Sequence, residues 1–137
     1  MDANELKDKR ILVVEDSVDN YTLILRLLTE LGIEHCEWIS SGWKVAQAAE
    51  NYSQPDLILL DINLPYEDGF DVHRRLRQHP RLKDTRIAAV TANANQEYMQ
   101  RSINAGFDGF IGKPLDPDRF PEQVRRLLSG EAVWEYN

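Results

Sequence analysis

Apolar residues in this chain fall in short blocks separated by polar, turn-rich stretches. Leu57-Ile58-Leu59-Leu60 is apolar at every position, and so is Ile11-Leu12-Val13-Val14. A strand that is apolar on both alternating faces belongs in the middle of a sheet covered on both sides. The pattern predicts strands over about 10–15, 33–39, 56–60, 86–90 and 108–111. Helices alternate with them. The first runs over about 17–31 and stops at Gly32. The second opens at Ser40-Ser41-Gly42 and runs to about Tyr52. The third covers 69–79 and ends before Pro80. The fourth covers 93–105 and is closed by Gly106. The last is capped by Asp116 or Asp118 and runs to Ser129, with Pro117 and Pro121 in or near its first turn. Residues 130–137 read as a short tail.

Five β-α units with short links predict an α/β fold, a parallel sheet with helices on both faces. Right-handed crossovers leave few topologies open. The expected unit is a single domain over 1–137, with a core of about 9–129. Neither an internal repeat nor a linker to a further domain is visible, so the module is expected to act without a covalent output domain.

Composition narrows the function. The 137 residues are 42% hydrophobic and carry a formal charge of −7. That balance argues against direct nucleic-acid binding, which needs clustered Lys and Arg. The lone Cys36 allows no internal disulfide, fits a reducing compartment and reads as a small core residue. No apolar run is long enough for a membrane span, and residues 1–10 lack a secretory apolar region. A cytoplasmic location is expected. His35, His73 and His79 share no metal spacing and read as surface or satisfied residues. Arg74, Arg75 and Arg77 read as the solvated face of the third helix. For Trp134 and Tyr136, packing back on the domain and a free tail are both open.

The chemistry sits where the apolar blocks end. The first strand ends in Glu15 and Asp16, the third in Asp61 and the fourth in Thr91; the fifth is followed by Lys113-Pro114. A parallel sheet gathers such ends at one edge, where α/β proteins form their sites. Three carboxylates there repel one another unless a cation, a proton or a reaction compensates. Hard oxygen ligands suit Mg²⁺. A lysine supplies positive charge for phosphoryl oxygens, a threonine hydroxyl can donate to one, and a carboxylate can take up phosphate as an acyl phosphate.

Over roughly residues 9–129 the chain resembles the receiver domain of two-component response regulators. The motifs are Val13-Val14-Glu15-Asp16, Leu59-Leu60-Asp61-Ile62-Asn63-Leu64-Pro65 with Asp68-Gly69, Val90-Thr91-Ala92, and Gly109-Phe110-Ile111-Gly112-Lys113-Pro114. The resemblance implies a flavodoxin-like doubly wound (βα)5 fold, its five-stranded parallel sheet in the order 2-1-3-4-5. It implies Asp61 as phosphoacceptor. Mg²⁺ would be held by Asp16, Asp61 and the backbone carbonyl of Asn63, with Glu15 assisting through water. Thr91 and Lys113 would contact the phosphoryl group, and Thr91 and Phe110 would form the switch. The Lys113-Pro114 bond is commonly cis in such domains. Many members have Asp at position 15 and Tyr at position 110; Glu15 and Phe110 leave the metal site and the switch ring in place.

The implied function is that of a stand-alone phosphoryl-accepting regulator rather than an enzyme. It would catalyse only its own phosphorylation and dephosphorylation. The donor would be a sensor histidine kinase or a histidine phosphotransfer protein. Output would pass to a protein partner through the fourth helix, fifth strand and fifth helix, and self-association into a dimer is compatible with this. An aspartate-nucleophile phosphatase of the haloacid dehalogenase type would want Asp at position 63, where Asn63 stands. An FMN carrier would want a Ser/Thr/Gly-rich loop after the first strand, where the chain is anionic. A phosphorylation-independent adaptor would not need all five groups.

The first helix adds one feature. Leu23, Ile24, Leu27, Leu28 and Leu31 suffice for a core-facing arc. Val18, Tyr21 and Leu25 widen the apolar sector to roughly 220°, against the expected face of a little over ~100°. They are expected to face water beside the site. In receiver domains this helix docks on the kinase.

Overall fold

A computed structural model describes residues 2–51 and 54–136. A short helix, α1 (Ala3–Lys7), precedes everything the pattern predicts. Asp2 caps it by accepting from the amide of Glu5 at 2.9 Å. Then follow β1 (Arg10–Val14), α2 (Val18–Leu31) and β2 (His35–Ile39). Ser17 caps α2, and Gly32 ends it in the left-handed region at φ 109. The second predicted helix splits into a single 3-10 turn, Gly42–Lys44, and α3 (Val45–Asn51). Its expected end at Tyr52 lies outside the described residues.

Next come β3 (Leu57–Leu60) and two strands of two residues each, β4 (Asn63–Leu64) and β5 (Glu67–Asp68). These pair antiparallel as a small hairpin, with Tyr66 at φ 64 in its turn. After the hairpin run α4 (Gly69–Gln78), β6 (Arg86–Thr91), α5 (Gln96–Ala105), β7 (Gly109–Gly112), α6 (Phe120–Leu128) and β8 (Val133–Glu135). α5 starts later than predicted because Asn95 is its cap, accepting from the amide of Tyr98. Neither Asp116 nor Asp118 caps α6. The N-cap is Arg119, whose side chain makes no capping bond, while the Asp116 carboxylate closes its own turn onto the amide of Asp118.

The main sheet has the order β2-β1-β3-β6-β7-β8, parallel throughout. Its first five positions are the predicted 2-1-3-4-5 order. The sixth strand comes from the segment read as a tail, so β7 has a neighbour on both sides. Helices α1, α2 and α6 pack on one face, through Leu6, Ile24, Leu28, Val124 and Leu127. Helices α3, α4 and α5 cover the other, through Val45, Val72, Leu76 and their neighbours. Apolar residues on both faces of β1 and β3 account for this three-layer arrangement. No helix among the described residues is long and apolar enough to cross a membrane.

Several side chains differ from expectation, among them Arg75, which is half-buried and pairs with the buried Glu67 carboxylate at 2.9 Å. His73 is buried, stacked on Phe107 at 4.1 Å, with Nε2 unpartnered. Arg77 is only partly solvated: it bonds the carbonyls of Thr85 and Gly106 and the Asp108 carboxylate, joining α4 to the β6 and β7 approaches. Cys36 is half-buried rather than core, and burial pushes its thiol up to about 11.

Candidate functional site

Asp61 follows β3 directly. Its amide donates to the carbonyl of Val14 at 3.0 Å, which fixes the carboxylate beside the end of β1. The chain must then turn sharply, and Gly69 permits it. A Cβ at Gly69 would sit 2.2 Å from the Cα of Ile62, closer than any real side chain could stand. This contact folds the β4–β5 hairpin back over the end of β3. Within the turn, Asp61 Oδ1 accepts from the amide of Asn63 at 2.9 Å.

Lys113 reaches the same point from the end of β7. Its Nζ lies 3.0 Å from Asp61 Oδ2 and 2.7 Å from Glu15 Oε2. The peptide bond Lys113-Pro114 is cis, a point the sequence left open. Glu15 is 1% exposed and Asp61 6%, so this is a charge cluster largely withdrawn from water. Burial raises the Glu15 carboxyl above its usual range, and the Asp61 charge adds to this although Lys113 opposes it. For Lys113, burial acts downward, but the bonds to Glu15 and Asp61 outweigh it and hold the ammonium charged. Asp16 stays exposed at the rim. Carboxylate oxygens of Glu15, Asp16 and Asp61 come within 4.8 Å of one another. Three acids against one buried cation leave an excess of negative charge. An oxygen-only donor set with an open rim is what a hard divalent cation takes.

Thr91 ends β6 and is fully buried. Its Oγ1 accepts from Asn63 Nδ2 at 2.9 Å and from the amide of Asn93 at 3.1 Å. Asn93 Nδ2 in turn donates to Asn63 Oδ1 at 3.0 Å. Both acceptor positions of the Thr91 hydroxyl are thus taken, and its hydrogen is what it has left to offer. The backbone links the strands as well: the amide of Lys113 donates to the carbonyl of Thr91 at 2.8 Å. Phe110 lies on β7, paired in register with Ala89 of β6 and wholly buried.

The structure therefore brings Glu15, Asp16, Asp61, Asn63, Thr91 and Lys113 to one edge, with Phe110 on the strand leading to it. The α2 residues stand apart from this cluster. Val18 is 60% exposed and Leu25 37%. Tyr21 is half-buried, stacked on Trp38 with ring centroids 4.9 Å apart. Sequence reasoning missed three participants. The side chains of Asn63 and Asn93 looked like ordinary loop amides. Trp38 looked like a strand residue, yet its indole N–H donates to the carbonyl of Glu15 at 2.6 Å and ties the α2 stripe to the site. A cleft of about 550 Å³ opens beside Asp16 and Asn63, walled by Tyr66, Phe70, Tyr98 and Arg101.

A doubly wound parallel sheet with buried acids, a lysine and a threonine at its carboxyl edge defines the class of protein. The response regulator receiver domain family matches residues 11–125, and the chain belongs to that family. It is a signalling module of two-component systems. Among relatives, the signal transduction histidine-protein kinase BarA of Escherichia coli (strain K12) is 29% identical over 123 residues. That match covers 90% of this chain but 13% of BarA, so the chain spans a small part of that kinase's length. The polar-differentiation response regulator DivK of Brucella abortus (strain 2308) is 33% identical over 124 residues, 90% of this chain and 98% of DivK. The receiver domain of the sensor histidine kinase PA1611 from Pseudomonas aeruginosa PAO1 superposes with a TM-score of 0.77 at 30% identity. It covers 88% of this chain and 98% of its own, and it was crystallised with a magnesium ion in its active site cleft.

Proposed function

We propose that this receiver domain accepts a phosphoryl group on Asp61 from a phosphohistidine on a kinase or phosphotransfer protein. The observation that carries the reading is the Lys113 ammonium set between Asp61 and Glu15, with Thr91 on the adjacent strand end. An Asp61 oxygen attacks phosphorus, the P–O bond forms, the P–N bond to the donor imidazole breaks, and the imidazole keeps the electron pair. Lys113 balances charge on the acceptor and on the transferred oxygens. The Thr91 hydroxyl, its acceptor positions filled, donates to a phosphoryl oxygen.

Asp16, Asp61 and the carbonyl of Asn63 are the groups that would hold Mg²⁺, with Glu15 acting through water. Bound there, the ion would supply positive charge that offsets the carboxylates and the incoming phosphoryl group. Loading adds roughly −1.5 to −2 charge, by analogy with other phosphorylated side chains. That charge draws Thr91 toward Asp61 and favours an inward Phe110, a local two-state element of the kind such switches use. The donor docks on the exposed part of α2, and output is read on the side formed by α5, β7 and α6.

The test is incubation with a small acyl phosphate and Mg²⁺, followed by intact mass. One added phosphoryl on the wild type and none on Asp61→Asn is expected. Equal labelling of both would reject Asp61, and no labelling of either would make the domain a phosphorylation-independent adaptor.

A further inference from the structure

Phe110 is wholly buried on β7, next to the sixth strand. The parallel register sets Phe110 beside Trp134 and Ile111 beside Glu135. Side chains alternate across a strand, so Phe110, Gly112, Trp134 and Tyr136 share one face. Neighbouring strands are only about 4.8 Å apart. Trp134 is thus the residue paired with Phe110 on the outer side of β7, and it packs against the same apolar cluster. Tyr136 closes the next position: a Cβ on Gly112 would meet its Cα at 3.1 Å.

On the opposite face Val133 is fully buried. The Glu135 carboxylate accepts from Gln123 at 2.7 Å, Arg119 at 3.0 Å and Arg126 at 3.2 Å, all on or at the start of α6. The strand is well anchored but short, and it is reached through Gly130 in the left-handed region at φ 95. An edge strand of three residues can open locally without unfolding the rest.

β7 connects this strand to the site. Lys113 follows Gly112 immediately, and Thr91 pairs with Gly112 while Ala89 pairs with Phe110. Thr91 and Phe110 thus lie on the same face of adjacent strands, and a shift of Thr91 toward Asp61 frees space on the Phe110 side.

We propose that β8 is a switch strand: docked Trp134 holds Phe110 inward, so a phosphoryl group on Asp61 tightens β8 against β7, and the unloaded site lets the strand leave. The proposal rests on the reading of Asp61 as phosphoacceptor. Coupling of this kind is reciprocal, so a docked strand also favours the loaded site.

The test is amide hydrogen exchange of residues 131–136 in the full chain, with and without a small acyl phosphate and Mg²⁺. Intact mass on the same sample reports the loaded fraction. Exchange of the segment should slow several-fold on loading. Trp134→Ala should erase the difference. Glu135→Lys, which opposes Arg119 and Arg126 with a like charge, should speed exchange whether or not the site is loaded. Unchanged or faster exchange in protein that mass shows to be loaded overturns the strand coupling alone. Absence of any label rejects the phosphoryl reading, and the coupling falls with it.

Discussion

Single residues in this protein are held by their neighbours' charges more than by their own preferences. Lys113 is the clearest case, since it compensates two buried carboxylates. Removing one partner of a buried ion pair typically costs about 3–5 kcal/mol. Lys113→Met should therefore lower the metal-free stability by about 3 kcal/mol, read as a fall in the urea midpoint at unchanged slope. A loss below about 1 kcal/mol, the scale of an exposed pair, would show that the cluster is already neutralised by protons. His73 makes the opposite prediction. Burial, then the Arg77 charge, lowers its imidazole to about 4 from 6.5. The unfolded chain then binds the extra proton first, so its contribution is complete above 6.5 and is lost as pH falls from there through about 4. His73→Phe should flatten the decline of melting temperature between pH 7 and pH 5. An equal decline in wild type and variant would mean that the imidazole charges freely in the fold. Asp61 and Thr91 were legible because a polar group closing an apolar block is conspicuous. His73 and Arg77 were not, because one buried imidazole and one bridging guanidinium look in sequence like any surface charge.

At the scale of elements, α2 divides its apolar residues between two duties. Ile24, Leu27 and Leu28 are buried, while Val18 and Leu25 stay in water. Leu25→Glu should leave labelling by a small acyl phosphate intact and slow transfer from the cognate phosphohistidine protein. Equal transfer rates would remove the stripe from docking, and loss of fold would place Leu25 in the core. Periodicity could find this helix because its fourteen residues carry several turns of pattern. It could not find α1, with five residues, or β8, with three. A strand that short has no period of its own and exists only through the ladder it joins. The same reason hid the β4–β5 hairpin, whose form is set by the backbone contact between Gly69 and Ile62. Tyr21 occupies a middle position: the helical arc put it in water, but Trp38, from strand β2, covers one face of its ring.

For the whole molecule the main imbalance is charge. The chain carries −7 overall, and three carboxylates converge at one edge. A divalent cation that binds only the folded form stabilises it by linkage, about 2.7 kcal/mol at a hundred times its dissociation constant. Millimolar Mg²⁺ should therefore raise the melting temperature, and Asp16→Ala should remove most of that rise. A wild-type melting temperature indifferent to Mg²⁺ would count against a metal site at this edge. The gathering of the site was readable from sequence because a parallel sheet puts all its strand ends together. Its amide bracing was not, because the spacing of Asn63 and Asn93 carries no signal until the two loops meet.

The direction of β8 has a practical consequence. Running parallel to β7, it delivers Tyr136 to the same edge as Gly112 and Lys113. α1 instead feeds β1 at Arg10, from the far edge. A fluorescent protein or affinity tag joined after Tyr136 would thus emerge next to the reaction centre and crowd any large donor, whereas one joined before α1 would hang clear of it. Reporters meant to leave the chemistry alone belong ahead of α1, and a probe meant to sense it belongs beyond β8.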